Sequence, residues 1–502
     1  MRKVLRVGAV YTLLLALLLV SVVIARAQTP SNGQASANIV VQNLHQTETA
    51  NVVASYVGPG GVPEDSLGAA IPRLSAGEFL SSATGLPGGW LGSMVLYSDR
   101  ELASVAMLLW DGGPYADGKS AAAYTGFESG DTTWYVPALV VNPGVEASQI
   151  TVQNVDTEAL TFYIDYYERG DVTPDATIDD TLEPSESIMY DLGTPGGKVP
   201  DLVALSTSGV NWTGAAVVTS TQQIAVIQSN HWRGWSSAYE GSTAPSDTLS
   251  SSSISRRRYQ RPSGDFWAEF SVLSLQNPNA VSTDVTINFY DRSDGLLDLT
   301  LDHTIPAHSA AGFNLKGGGA VPASTFDVLD TDTTDADAIW VGYAVVTSTQ
   351  PILGAVTVIQ PGLGVLGTGV AGVYNLFAPA AGTQDMYVPA AYRIRPGGSW
   401  EQLTRMGILN FGSSEATLTL QFYDRNGDLD LELTGRTIAV GEIASINTKN
   451  GGTLATDTEF ATGLGDNWQG SIYIHSTEPI AGITETLWWP SARFSVYGAV
   501  NK

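Results

Sequence analysis

The chain has 502 residues, 50 acidic against 24 basic side chains, a formal net charge of −26 and no cysteine. Its length calls for roughly three to four domains, so a single small module is excluded. Without cysteine there are no disulfides, thiol nucleophiles, cysteine-ligated metals or lipidated cysteine. So acidic a field also repels a phosphate backbone, making nucleic acid a poor partner.

At the N-terminus, Arg2, Lys3 and Arg6 precede an apolar run from Leu13 to Ile24. Ala25-Arg26-Ala27 then supplies small residues at the positions a signal peptidase accepts. The expectation is export, with cleavage before Gln28. The apolar core is short for a bilayer crossing, which needs about 20 residues. No later uninterrupted run is as long, so no transmembrane span is expected in the mature chain.

The body reads as four copies of one unit. An asparagine closes each of Ile39-Val-Val-Gln-Asn43, Ile150-Thr-Val-Gln-Asn154, Leu273-Ser-Leu-Gln-Asn277 and Met406-Gly-Ile-Leu-Asn410. Thirteen residues on stand Tyr56, Tyr167, Tyr290 and Tyr423. The Trp-x-Gly pairs beginning at Trp90, Trp212, Trp340 and Trp468 follow, each with a serine eight residues later. From those serines run Ser-Asp-Arg-Glu-Leu102, Ser-Thr-Gln-Gln-Ile224, Ser-Thr-Gln-Pro-Ile352 and Ser-Thr-Glu-Pro-Ile480, read as hairpin turns. Each copy ends on a tyrosine strand carrying Tyr124, Tyr239, Tyr374 or Tyr497.

Within a copy the apolar period is two, the period of strands, as in Val285-Thr-Ile-Asn-Phe289 and Leu418-Thr-Leu-Gln-Phe422. Asn426-Gly427 predicts a tight hairpin. No segment shows a helical period. The fold expected is all-β: four tandem antiparallel sandwiches over 28–128, 129–245, 246–380 and 381–502, after a signal peptide at 1–27. The run Ser250–Ser253 beside Arg256-Arg257-Arg258 marks 246–262 as a flexible linker open to nicking.

Together, the Val-Gln-Asn strand, Phe-Tyr-Asp with its glycine turn, the Trp-x-Gly strand and the Ser-Thr-Gln-Pro-Ile turn resemble the tandem immunoglobulin-like modules of bacterial secreted and cell-surface proteins. The resemblance implies an extracellular sandwich array and carries over no catalytic residue.

Candidate chemistry is sparse. Gly362-Leu-Gly-Val-Leu-Gly367 matches a dinucleotide fingerprint in letters only, since no strand-to-helix passage accompanies it. Asp327, Asp330, Asp332, Asp335 and Asp337 crowd one loop and suit calcium, although solvated loop charge is the commoner explanation of such a run; no other cofactor is expected. The loop aromatics Trp110, Trp232, Trp235, Trp488 and Trp489 are candidate binding groups, since flat rings stack on sugars or anchor a protein. The repeated Trp90, Trp212, Trp340 and Trp468 read as packing residues. The reading that follows is a non-catalytic structural or adhesive protein, extracellular or at the cell surface, whose partner is an envelope protein or glycan, with self-association as in a surface layer. A carbohydrate-binding protein and a secreted glycoside hydrolase are the alternatives.

Overall fold

The computed structural model of the protein describes residues 19–23, 34–111, 120–194, 197–232, 235–259, 266–330, 338–361, 369–488 and 493–502. The described chain is almost wholly antiparallel strand, with two short α-helices, Leu202–Leu205 and Asp457–Gly463, and a few 3-10 turns. Four units succeed one another: 34–127, joined by the strand Leu19–Val23, then 131–242, 246–377 and 383–501.

Unit 1 holds two four-stranded sheets, whereas units 2, 3 and 4 each form one curled sheet of seven, nine and nine strands. One long strand causes the curl. Trp212–Trp232, Ala338–Gln360 and Asn467–Trp488 each run through the serine motif without reversing. In unit 2 the first half pairs with Leu160–Glu168 and Asp131–Asn142, and the second with Glu146–Asn154 and Ser236–Glu240. The expected hairpin is therefore a corner at which one strand passes between the two halves of its sheet. Serine holds that corner: Ser220 Oγ donates to the Gln222 carbonyl (2.5 Å) and Ser348 Oγ to that of Gln350 (2.7 Å). The Asn426-Gly427 turn does close a hairpin, with Gly427 at φ +88° and Tyr423 paired to Leu429.

The repeated residues are structural fasteners. Each asparagine amide donates across its unit to the carbonyl 28 residues on, that of Ile71, Leu182, Ile305 or Ile438, at 3.0–3.2 Å. Its oxygen accepts the backbone amide two residues later. We expect Asn277→Ala, which strands these buried carbonyls, to cost about 1–3 kcal/mol, read as an earlier unfolding midpoint and faster amide exchange in unit 3. An unchanged midpoint would contradict the fastening role.

Every repeated tryptophan donates its indole N–H to a carboxylate: Trp90 to Glu64, Trp212 to Asp175, Trp340 to Asp298 and Trp468 to Asp430, at 2.7–2.9 Å. Each ring meets a core aromatic edge-on, namely Tyr56, Tyr166, Phe289 and Phe422. The glycine two residues on is obligatory, because a Cβ there would strike both the folded-back indole and the carbonyl oxygen of Val57, Tyr167, Tyr290 or Tyr423. This places Val57, not Tyr56, opposite the other three tyrosines. Unit 1 carries one extra residue before its second strand, visible in Asn43 bonding the carbonyl five residues on where its counterparts reach four.

The expected linker at 246–262 is instead strand as far as it is described. Ser246–Ser250 and Ile254–Tyr259 pair with the long strand of unit 3, and Ser250, Ser251, Ser252 and Arg256 are all buried. Ser250–Ser253 stand where units 2 and 4 carry Tyr-Val-Pro-Ala, and the Tyr374 hydroxyl bonds the carbonyl and amide of Ser253 as Tyr239 bonds the Ala138 amide and Tyr497 the Ala390 carbonyl.

The units are arranged as a ring. The tyrosine strands Ser120–Thr125, Ser236–Glu240, Val370–Asn375 and Arg493–Gly498 meet at the centre, each packed on the one before and the one after, and the fourth on the first. Ser120 Oγ lies 3.1 Å from Ser236 Oγ, Asn375 Nδ2 donates to the Glu240 carbonyl at 2.8 Å, and Gly372 leaves room for Phe494 and Val496. The outer seams reuse matching positions. Ser93 Oγ donates to the Ser185 carbonyl between units 1 and 2, as Ser471 Oγ does to that of Leu74 between units 4 and 1. Gln276 Nε2 donates to the Ala216 carbonyl between units 3 and 2, as Gln42 Nε2 does to that of Ile472 between units 1 and 4. Leu74, Ser185, His308 and Gly441 occupy one equivalent turn, all at positive φ, where an L side chain is strained. Apolar cores run across these seams, since Val40, Val105 and Met107 of unit 1 cluster with the core of unit 4.

Candidate functional site

Two of the loop aromatics, Trp110 and Trp235, pack at seams between units. Trp110 is 2% exposed and meets the His231 ring edge-on at 5.3 Å, joining units 1 and 2. Burial pushes His231 down to about 4, keeping the ring neutral. Trp232 and Trp235 are half-buried and mutually tilted at 44°, and Trp235 lies over Gly369 of unit 3. Trp488 is half-buried at the end of its strand; Trp489 lies outside the described residues. At that tilt Trp232 and Trp235 do not share one plane.

The acidic loop is likewise engaged. Asp327 and Asp330 bind the Arg256 guanidinium at 2.8 Å, and Asp330 also binds Arg258 at 2.9 Å. Two of the five proposed calcium ligands thus neutralise a buried arginine. Asp332, Asp335 and Asp337 lie outside the described residues, as does the glycine run 362–367. Unit 4 repeats the device: Arg393, wholly buried, bonds the carbonyls of Thr448 and Gly465 and the Asp457 carboxylate. Trp267 and Trp400 cover Arg256 and Arg393, with guanidinium-to-ring distances of 5.0 and 5.1 Å.

Glu168, Asp171 and Asp175 bring carboxylate oxygens within 4.8 Å of one another. Their lone pairs already accept bonds from Ser206, Thr207 and Trp212, and burial beside its two acidic neighbours raises Asp171. The arrangement is a hydrogen-bonded turn.

A polar cavity of about 270 Å³ opens at the seam between units 3 and 4. Arg257, Glu269 and Arg292 line it from unit 3, Arg405 and Glu485 from unit 4. Arg405 pairs with Glu485 at 2.5 Å, and Arg257 lies 3.9 Å from Glu269. Burial raises the Glu485 carboxyl. The buried Ser252 Oγ, also on the wall, has no hydrogen-bond partner among the described residues. Sequence reading missed this site because its groups come from two units and none falls at a position repeated fourfold. The usable signal was Arg169, Arg292 and Arg425, each fifteen residues after its asparagine.

No family model and no curated protein matches the chain. Among solved structures, Thermotoga maritima 1070 is 13% identical and aligns over 23% of this chain and 96% of its own, with a TM-score of 0.18. The Anabaena sensory rhodopsin transducer is 18% identical over 19% of this chain and 92% of its own, TM-score 0.15. A tetra-tandem repeat from the extending region of a large adhesion protein is 10% identical, covering 96% of this chain and 99% of its own, TM-score 0.10.

Proposed function

We propose that this is a non-catalytic structural or adhesive protein of the cell surface or the secreted fraction, built from immunoglobulin-like sandwich units. One observation carries the reading: the residues shared by the units, Asn, Trp, Gly and Tyr, are consumed in fastening each unit. An enzyme needs one asymmetric group of acid, base and stabilising residues, and repetition builds scaffolds. Surface protease treatment and fractionation of expressing cells test it. The expected result is an extracytoplasmic protein whose intact mass begins at Gln28; a cytoplasmic protein retaining Met1 would refute it.

Export has a structural consequence. Leu19–Val23, within the segment to be removed, pairs along Ser93–Ser98 in the place that Asp131–Asn142 takes in unit 2, Val22 facing Val95 as Tyr135 faces Val217. Gln28 to Gly33 hold Pro30 as their one apolar side chain, and a proline has no N–H to give a strand ladder. In the chain beginning at Gln28, the amides of Ser93–Ser98 facing the vacated side are expected to exchange faster than their counterparts in Trp212–Trp232. Equal protection would contradict loss of the strand.

The carbohydrate-binding alternative draws support from Trp232, Trp235 and Trp488, which among the described residues retain partial exposure. A glycan panel that quenches their fluorescence would favour it.

A further inference from the structure

The three equivalent arginines Arg169, Arg292 and Arg425 each project from one unit toward the next, but they end differently. Between units 2 and 3, Arg169 lies over Gly312 and donates to Ser274 Oγ at 3.1 Å. Between units 4 and 1, Arg425 reaches the Glu78 carboxylate at 2.6 Å. Gly312 and Glu78 are the same structural position, thirty-five residues after the asparagine of the receiving unit, and its third occupant is Ser445. Ser445 and Arg292 both line the cavity between units 3 and 4. There the Arg292 guanidinium makes no hydrogen bond or ion pair among the described residues, although the charges of Glu485 and Glu269 act on it from a distance; Glu269 accepts from Gln360 (2.7 Å) and Glu485 pairs with Arg405.

We propose that this cavity binds a small organic carboxylate whose carboxyl group pairs with Arg292, standing where Glu78 stands opposite Arg425. The wall groups suit an anion. Three arginines face two carboxylates, and the side-chain nitrogens Arg257 Nε and Arg405 Nε are buried donors without partners among the described residues. Ser252 Oγ, without a partner among the described residues, and the amides of Asn447 and Asn450 add neutral polar groups for the remainder of the ligand. A planar guanidinium favours a carboxylate because two parallel N–H bonds match its two oxygens.

The test is titration calorimetry of the full chain with glycolate, glutarate, inorganic phosphate and glycerol, repeated on three variants. A carboxylate is expected to bind saturably and to lose at least about tenfold in affinity, or 1.4 kcal/mol, in Arg292→Gln. Arg169→Gln, at the partnered position, should bind as the parent does. Ser445→Glu, which supplies from the chain the group that Glu78 supplies, should abolish binding and raise the unfolding temperature. Phosphate binding as tightly as either carboxylate, no saturable binding by any probe, or carboxylate binding unaffected by Ser445→Glu and Arg292→Gln would overturn the proposal.

Discussion

Trp468→Ala is expected to destabilise unit 4 by about 3–5 kcal/mol, the cost of emptying a large buried aromatic site. The loss has three parts. The indole packs on Phe422 at 5.9 Å between centroids, covers Gly470, and donates to Asp430, whose carboxyl is raised by burial. Trp468→Phe keeps much of the packing but removes the donor, so it should fall between parent and Ala. Because unit 4 shares its core with unit 1 through Val40, Val105 and Met107, protection should also fall in unit 1. Amide exchange resolved by segment checks this; loss confined to 383–501 would show that the seam transmits nothing.

The second large effect is pH dependence at the centre of the ring. Glu240 accepts bonds from the amide and hydroxyl of Thr125 in unit 1, its backbone carbonyl accepts from Asn375 in unit 3, and burial pushes its carboxyl up to about 7. A carboxyl raised on folding holds its proton in the native state after the unfolded chain has released it. Stability from this group is therefore full below about pH 4.5 and falls as pH rises toward 7, opposite in sign to an ion-paired carboxylate. Glu146, raised to about 8 chiefly by burial, acts in the same direction. Between pH 5 and 7 the parent should lose stability relative to Glu240→Gln, whose neutral amide keeps the shape without titrating. Parallel curves for the two proteins would remove Glu240 from the account.

Strand content and the fourfold repetition were legible because both rest on local spacing. The Asn, Trp and Gly positions recur at fixed intervals whose geometric causes, a cross-unit amide bond and an indole folded over glycine, lie within one unit. The serine corner was misread because Ser-Thr-Gln-Pro carries turn chemistry, whereas here the strand bends and continues. Ser250–Ser253 resembled a linker by composition, yet they occupy the place of Tyr-Val-Pro-Ala in units 2 and 4 and are held by the same tyrosine contact. Tyr56 matched by number alone, since one inserted residue moved Val57 into the equivalent place. The carboxylate partners of the tryptophans escaped detection because the intervening loops differ in length, as Asp298 to Trp340 and Asp430 to Trp468 show. The ring itself had no local signature: Gln42, Ser471 and Arg425 each bond a residue more than 340 positions away.

That closure is the central claim, and small-angle X-ray scattering of the chain from Gln28 tests it most directly. Four units meeting through their tyrosine strands should give a compact particle with a radius of gyration near the globular value for this length, about 23–26 Å. A radius roughly twice that globular value, with the long cross-section profile of modules strung end to end, would contradict a ring joined from unit 4 back to unit 1.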